Sequence, residues 1–301
     1  MAVTSERLVY LDGQWVPQDQ ARVSIFDHGF LFGDGVFEGI RAYGGRPFRL
    51  QEHIDRLFES AHSIRLDIGL TREEVTELTK ESLARNGLSD AYIRVQVSRG
   101  VGDLGIDAAA CPKATVFVLA DRIALYPESL YETGLRAMTS SLRRTAVDAL
   151  SPRVKSLNYL NSVLAKMQAR AAGYPEAILL SPEGYPIEAT GENLFIVRRQ
   201  ELWTPPVYLG ILEGITRRFV LALAGELGIP CHEAPFTVHD LYVAEECFLT
   251  GTAAEIMPVV EIDGRRVGTG SPGPLTGRLR EAFVRARQAE ESEPVVATFR
   301  G

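Results

Sequence analysis

Lysine is scarce in this chain. Four occur in 301 residues, Lys80, Lys113, Lys155 and Lys166, so arginine supplies 28 of the 32 basic side chains. A guanidinium keeps its proton, whereas a lysine amine can lose one and attack a carbonyl. Any Schiff-base chemistry therefore rests on one of four positions. Cysteine is also sparse: Cys111, Cys231 and Cys247 are odd in number and widely spaced. They offer no disulfide framework and no metal-ligand pattern, so no metal is expected and a reducing cytoplasm fits. No apolar run approaches the roughly 18 residues of a membrane span. The opening residues, Met1 to Arg7, lack the apolar core of a secretory leader. A net charge of −7 argues against nucleic acid as a general partner.

What is present is the composition of an ordinary globular protein, 46% hydrophobic and 24% charged. The length suggests about two domains. Residues 8–11 and 14–16 flank Asp12-Gly13, a hairpin signal. Val36–Tyr43 reads as a strand that turns at Gly44-Gly45 into Pro47–Leu50. Gln51–Ile64 is amphipathic at helical spacing, with Ile54, Leu57, Phe58, Ala61 and Ile64 on one face. A second helix runs from about Thr71 to Asn86 and stops at Gly87. Strands at Ala91–Ser98 and Ala114–Ala120 enclose a glycine-rich loop, Arg99–Gly105. Strands and helices mix here without regular βαβ alternation, which predicts an α+β first domain over 1–122.

A connector is expected over 123–134, followed by a larger, strand-rich domain over 135–301. Its expected strands are Leu135–Ser140, Glu176–Ser181, Asn193–Val197, Cys247–Thr250 and Glu255–Ile262. Its expected helices are Asn158–Ala172, Thr216–Leu227 and Thr276–Gln288, with a turn at Asp263-Gly264. The tail Glu290–Gly301 is charged and expected to be loosely held.

Local sequence ranks the four lysines. Most lysines simply solvate a surface. Lys80 lies among charges in a helix, and Lys113 follows Cys-Pro in a turn. Lys166 points off the apolar stripe Leu160, Val163, Leu164, Met167 and Ala171 of its helix. Lys155 alone has apolar neighbours on both sides, Val154 and Leu157, at an element boundary, a setting able to desolvate an amine.

Other signals are weaker. Gly214-Ile-Thr-Arg217 opens a helix with Thr216 as a fair N-cap, and free amides there favour an anion such as phosphate. Leu249-Thr-Gly-Thr-Ala-Ala254 is a small-residue turn after a strand, either an ordinary connection or a second seat for an anion. Arg56, close to Glu52 and Glu59, reads as a surface ion-pair partner. Glu188, beside an apolar strand, is either a paired structural charge or a group able to hold a pyridinium proton. Together these signals name what pyridoxal phosphate needs: an amine, a carboxylate and amide-rich phosphate seats.

Eight segments, in order, give a specific resemblance. They are Gly35-Val-Phe-Glu-Gly-Ile-Arg-Ala-Tyr43, His53-Ile-Asp-Arg-Leu57, Tyr92-Ile-Arg94, Ser98-Arg-Gly-Val-Gly-Asp-Leu-Gly105, Lys155-Ser-Leu-Asn-Tyr159, Glu188-Ala-Thr-Gly-Glu-Asn-Leu-Phe195, Glu213-Gly-Ile-Thr216 and Gly251-Thr-Ala-Ala-Glu-Ile256. In these the chain resembles fold-type IV pyridoxal-phosphate enzymes, and most closely the branched-chain amino-acid aminotransferases. The resemblance implies an α+β, two-domain enzyme that transaminates leucine, isoleucine and valine with 2-oxoglutarate, ping-pong through pyridoxamine phosphate. Small amino acids and 2-oxo acids would be its partners, in a homo-oligomer, dimer or hexamer, with Phe32 and Arg99–Gly105 reaching into the neighbour's pocket.

It also implies roles. Lys155 would hold the cofactor covalently and act as the base. Glu188 would bind the pyridine nitrogen, and Tyr159 the phenolic oxygen. Arg56, Ile215, Thr216 and Thr252 would hold the phosphate. Tyr92 and the Thr252–Ala253 turn would receive the substrate α-carboxylate, and Arg94 the distal carboxylate of the dicarboxylate substrate. Phe37 would line the pocket for an aliphatic side chain. The family often has tyrosine at the place of Phe32, and Tyr131, which matches another family tyrosine, would compensate. D-amino-acid and (R)-amine transaminases share the fold. The first typically carry a histidine in the loop matching Arg99–Gly105, and the second usually lack an arginine matching Arg94. A non-catalytic pyridoxal-phosphate-binding protein is a reading of another class.

Overall fold

The computed structural model describes residues 7–123 and 125–292. The tail expected to be loosely held lies, beyond Ser292, outside the described residues. Strands β1 (Leu8–Leu11) and β2 (Gln14–Pro17) pair across Asp12 and Gly13. Both turn residues hold positive φ, 47° and 96°, the geometry that matches strand twist in a two-residue hairpin. Helix α1 (His28–Phe32) is one short turn capped by the Asp27 carboxylate. Strand β3 (Gly35–Tyr43) follows. The strand expected over 47–50 is only Arg46–Pro47, β4, because Arg49 adopts a left-handed φ of 53° and launches helix α2 (Leu50–Ser63). Helix α3 (Arg72–Asn86) opens on a reciprocal capping box of Thr71 and Glu74 and ends at Gly87 in the left-handed region. Strands β5 (Ala91–Ser98) and β6 (Thr115–Asp121) complete an antiparallel six-stranded sheet in the order β2-β1-β6-β5-β3-β4.

Alternation along these strands decides what faces the site. Ala91, Ile93, Val95 and Val97 of β5 join Ile54, Leu57, Val75 and Leu83 of α2 and α3 in one core. Tyr92, Arg94 and Gln96 therefore stand on the other face of the sheet. On β3 the same rule sends Val36, Glu38 and Ile40 toward α2 and leaves Phe37 opposite.

The second sheet begins after helix α4 (Ser129–Thr133) with β7 (Leu135–Arg143), which runs three residues beyond the expected end. Helix α5 (Leu160–Ala171) leads to β8 (Glu176–Leu180), β9 (Pro186–Ala189), β10 (Asn193–Arg198) and β11 (Glu201–Thr204). Then come α6 (Ile215–Glu226), β12 (Cys231–Glu233), α7 (Val238–Tyr242), β13 (Glu246–Gly251), β14 (Glu255–Ile262), β15 (Arg265–Arg266) and α8 (Pro274–Ser292). Strands β10, β13, β14, β7, β8 and β9 form a ring, closed where Asn193 of β10 pairs with Glu188 of β9. The layout is α+β, as expected. The short elements α1, α4, α7, β4, β12 and β15 have too few residues for a periodicity to reveal them.

Helix α5 departs from expectation. Its buried residues are Ser162, Ala165 and Ala169, small side chains that let it lie close on β7 and β8. The apolar stripe turns outward, with Leu160 68% and Met167 61% exposed. Lys166, on the opposite side, points inward. An apolar stripe marks a face that needs covering, and this one is left uncovered among the described residues.

Candidate active site

Strand β3 and the segment before α5 fasten the two sheets together. The Phe37 amide donates to Lys155 O (3.0 Å), and the Leu157 amide donates to Gly35 O (2.9 Å). The Lys155 amide donates to Ser60 Oγ of α2 (3.2 Å). Lys155 is thus held at the seam by its backbone, and its side chain remains available. Its Nζ lies 3.4 Å from the Tyr159 hydroxyl and 4.6 Å from the centre of the Phe37 ring. Phe37 meets Tyr159 edge to face at 5.2 Å.

These groups line a cavity of about 460 Å³ together with Tyr92, Arg94, Lys166, Glu192 and the turn Gly251–Ala254. Lys80 and Lys113 do not reach it. Lys166 does, which corrects the expectation that it merely solvates its helix.

Glu188, on β9, is buried. Its Oε2 accepts from the Leu212 amide (3.0 Å), and its Oε1 forms an ion pair with Arg144 Nε (2.7 Å). Burial raises its carboxyl above the usual range, against the pull of Arg144, the Leu212 amide and Lys155. Arg144 follows the end of β7, and no local signal marks it.

The N-terminus of α6 is bare. Its N-cap is Gly214, not Thr216, with no side-chain cap and no acidic residue in the first turn. A Cβ at Gly214 would collide with Asn193 Oδ1, so glycine is required by close approach. Leaving the cap without a side chain turns the amides of Ile215 and Thr216 toward whatever anion arrives. Nearby, Arg56 donates from one terminal nitrogen to Glu213 O (2.8 Å). Arg56 is not at the surface, as its neighbours Glu52 and Glu59 suggested. It is buried on Glu38, with Nε to Oε1 at 2.7 Å and its other terminal nitrogen to Oε2 at 2.9 Å. The His53 ring adds a contact to Glu38 Oε2 (2.7 Å). Burial would raise the Glu38 carboxyl, but Arg56 and then His53 outweigh it and hold the group well below the usual carboxylate range.

The donor set fits pyridoxal phosphate. An amine with a phenol beside it, a buried carboxylate and a helix start free of side-chain caps are the groups such a cofactor needs. At the root of the Thr252–Ala253 turn, the buried Thr250 hydroxyl has no hydrogen-bond partner among the described residues.

On the substrate side, Arg94 stacks over Phe37 at 3.8 Å and is held by Gln96 through Nε (2.9 Å). No carboxylate pairs with it among the described residues, and burial lowers its pKa. Tyr92 packs so closely on β3 that a Cβ at Gly39 would overlap its hydroxyl. Thr252 and Ala253 lie on the cavity wall. Tyr131 does not: from α4 its hydroxyl donates to Ala254 O (3.1 Å), so it braces the turn from behind. Phe32 is 40% exposed and lines no part of this cavity.

Residues the sequence reading gave no role include Glu38, Glu192, Glu176, Tyr126 and Arg144. Glu38 and Glu192 stand inside the resembling segments, but only the fold brings their partners to them.

Comparison with known proteins identifies the family. The class IV amino-transferase family matches residues 35–262. A Methanocaldococcus jannaschii protein, provisionally assigned as a branched-chain-amino-acid aminotransferase, is 56% identical over 91% of this chain and 94% of its own. The Escherichia coli branched-chain amino acid aminotransferase superposes with a TM-score of 0.92 at 36% identity, over 97% of this chain and 98% of that one. The branched-chain aminotransferase of the thermophilic archaeon Thermoproteus uzoniensis, solved with norvaline, gives a TM-score of 0.88 at 41% identity, over 95% of this chain and 96% of that one.

Proposed function

The chain belongs to the class IV aminotransferases, and from that membership we propose that it transfers the amino group of leucine, isoleucine or valine to 2-oxoglutarate on pyridoxal 5'-phosphate in a fold-type IV site. The observation that carries the reading is the cavity itself: an aromatic wall at Phe37 for an aliphatic side chain, with the unpaired Arg94 cation against the same ring. One space can thus take a branched side chain or a carboxylate, which a reaction with two dissimilar substrates requires.

Bound pyridoxal phosphate supplies an electron sink for negative charge developing on a substrate carbon. The protein's residues do the rest. Lys155 would hold the ring through its amine and, with that amine free, would move a proton at the substrate α-carbon. Tyr159, beside that amine, would donate to the ring oxygen. Glu188, whose carboxylate form Arg144 favours against burial, would hold the proton on the ring nitrogen. Arg56 and the amides of Ile215 and Thr216 take the phosphate, together with Thr252. Tyr92 and the Thr252–Ala253 amides receive the α-carboxylate, and Arg94 the distal one.

A homo-oligomer is part of the proposal. The exposed residues Ile25, Phe26, Phe30, Phe32, Leu104 and Ile106 make an apolar surface of the kind that contacts another chain, and so does the outward stripe of α5. Phe32 and the loop 99–105, absent from their own cavity, would then serve a neighbour's. No helix among the described residues is long and apolar enough to cross a membrane. Three free thiols accord with a cytoplasmic setting.

The test is a donor screen with 2-oxoglutarate that includes both enantiomers of each amino acid and (R)-1-phenylethylamine, run beside Lys155→Ala. L-branched-chain donors should dominate. Borohydride should fix the cofactor on Lys155. Fixation on Lys80, Lys113 or Lys166, or a preference for D-amino acids, overturns the assignment.

A further inference from the structure

The cavity has a second ionisable wall that the mechanism does not use. Glu192, in the turn between β9 and β10, and Lys166 of α5 both line it. Behind them lie Glu176 of β8 and Tyr126, from the segment before α4. Glu192 and Glu176 are buried, at 7% and 0% exposure. The Tyr126 hydroxyl lies 3.0 Å from Glu176 Oε2 and 3.2 Å from Glu192 Oε1. A phenol has one proton to give, so both contacts are made at full strength only when one of the carboxyls carries a second proton.

The partners decide which one. Glu176 is surrounded by donors: the amides of Ala177 (2.9 Å) and Thr190 (3.3 Å), the Thr190 hydroxyl (2.6 Å) and the Lys166 ammonium. That is the setting of an ionised group. Among the described residues, Glu192 Oε2 accepts only from the Gly191 amide, at 3.1 Å. Of the two, Glu192 has the fewer donors and is the better seat for a proton, which would let its Oε1 donate to Tyr126 Oη while Tyr126 donates to Glu176.

We propose that Glu192 is a specificity-determining residue, a neutral carboxylic acid in the substrate wall whose ionisation selectively turns away the dicarboxylate substrate. The inference rests on the reading of this cavity as the pocket of a transaminase with a branched-chain and a dicarboxylate substrate. With Glu192 protonated, Lys166 and Glu176 cancel and the wall is neutral. When its proton leaves to solvent through the cavity, the wall carries a net negative charge. Branched-chain and dicarboxylate substrates share the α-carboxylate. They differ by one distal carboxylate, and only that group adds a repulsion.

The groups facing Glu192 are Glu176, Lys166 and Tyr126, with Tyr92, Arg94, Lys155 and Tyr159 across the cavity. The Gly251–Ala254 turn brings no titratable side chain. Burial, and next the Glu176 charge, push Glu192 up to about 7 against Lys166, so the switch falls within an ordinary working range of pH.

The experiment uses holoenzyme and two unreactive probes, glutarate and 4-methylvalerate, with Kd measured by calorimetry from pH 6 to 9. The ratio Kd(glutarate)/Kd(4-methylvalerate) should rise roughly tenfold with pH in the wild type and stay flat in Glu192→Gln, which keeps a donor toward Tyr126 but cannot ionise. Glu192→Met, a volume-conserving replacement, should also be flat and serves if the amide variant does not fold. A ratio that is flat in the wild type, or that rises equally in either variant, overturns the proposal. Failure to turn over any branched-chain substrate would instead sink the transaminase reading, whereas a flat ratio in an active enzyme sinks only the role of Glu192.

Discussion

The Arg94 guanidinium lies 3.8 Å above the centre of the Phe37 ring. A cation stacked on an aromatic face is attracted to it without being neutralised. The charge stays available for an incoming carboxylate, and the ring stays apolar for a leucine side chain.

Arg94→Ala should therefore raise KM for 2-oxoglutarate far more than for leucine. A charge-assisted hydrogen bond is worth about 1.5–3 kcal/mol, roughly 10- to 150-fold. With Phe32 in place of a tyrosine the lower half of that range is expected. Phe32→Tyr should tighten 2-oxoglutarate and leave leucine nearly unchanged. Steady-state kinetics with each substrate varied decides the matter; equal weakening of both by Arg94→Ala would assign Arg94 to the α-carboxylate or to structure.

Glu188→Gln should retain the cofactor and lose two to four orders of magnitude in turnover, roughly 3–5 kcal/mol of barrier. A neutral amide cannot hold the ring nitrogen protonated. Burial already raises the Glu188 carboxyl, and Arg144 opposes that rise. Arg144→Met should raise it further, so activity would fail at higher pH on the acid side. Single-turnover rates from pH 5 to 8 test both; an unmoved acid limb in Arg144→Met would leave the ion pair without a functional consequence.

The buried pair Glu38–Arg56 should matter to folding. Glu38→Gln leaves a buried guanidinium without its counter-charge, and such losses cost about 3–5 kcal/mol. The native pKa of Glu38 lies below its unfolded value of 4.5. Its contribution is therefore present above that pH and is lost as pH falls through the native value. His53, lowered from 6.5 by burial against the pull of Glu38, takes up its proton more readily when unfolded. Stability should therefore also fall as pH drops below about 6.5, and less so in His53→Gln. Urea unfolding at pH 7, 5.5 and 4 measures each term by difference from wild type.

Light scattering should find at least a dimer. Phe30 is 74% and Ile106 86% exposed in the single chain. Phe30→Asp with Ile106→Asp should shift the population toward monomer and cut activity with it. A wild-type monomer active at assay concentration would contradict the shared-site arrangement.

The sequence by itself determined the family and the helices that shape the cavity, and it proposed the lysine. Scarcity left four lysines and apolar neighbours ranked Lys155 first, periodicity placed α2 and α3, and the resemblance of the ordered segments proposed roles for Glu188, Tyr159 and the phosphate seat. These are local properties, carried by residues close together in the chain. Tertiary structure decided what each side chain meets. Periodicity marks a face of α5 as apolar but not what covers it, so Lys166 read as a solvating residue when it lines the cavity. Glu38 became the partner of Arg56 because β3 packs on α2, and Gly214 displaced Thr216 as the cap because Asn193 crowds it. Burial and the charge of Glu176 favour the proton proposed for Glu192 while Lys166 opposes it, and these groups come from separate elements. A buried carboxyl takes its charge state from the groups around it, and in this chain those groups are assembled only by the fold.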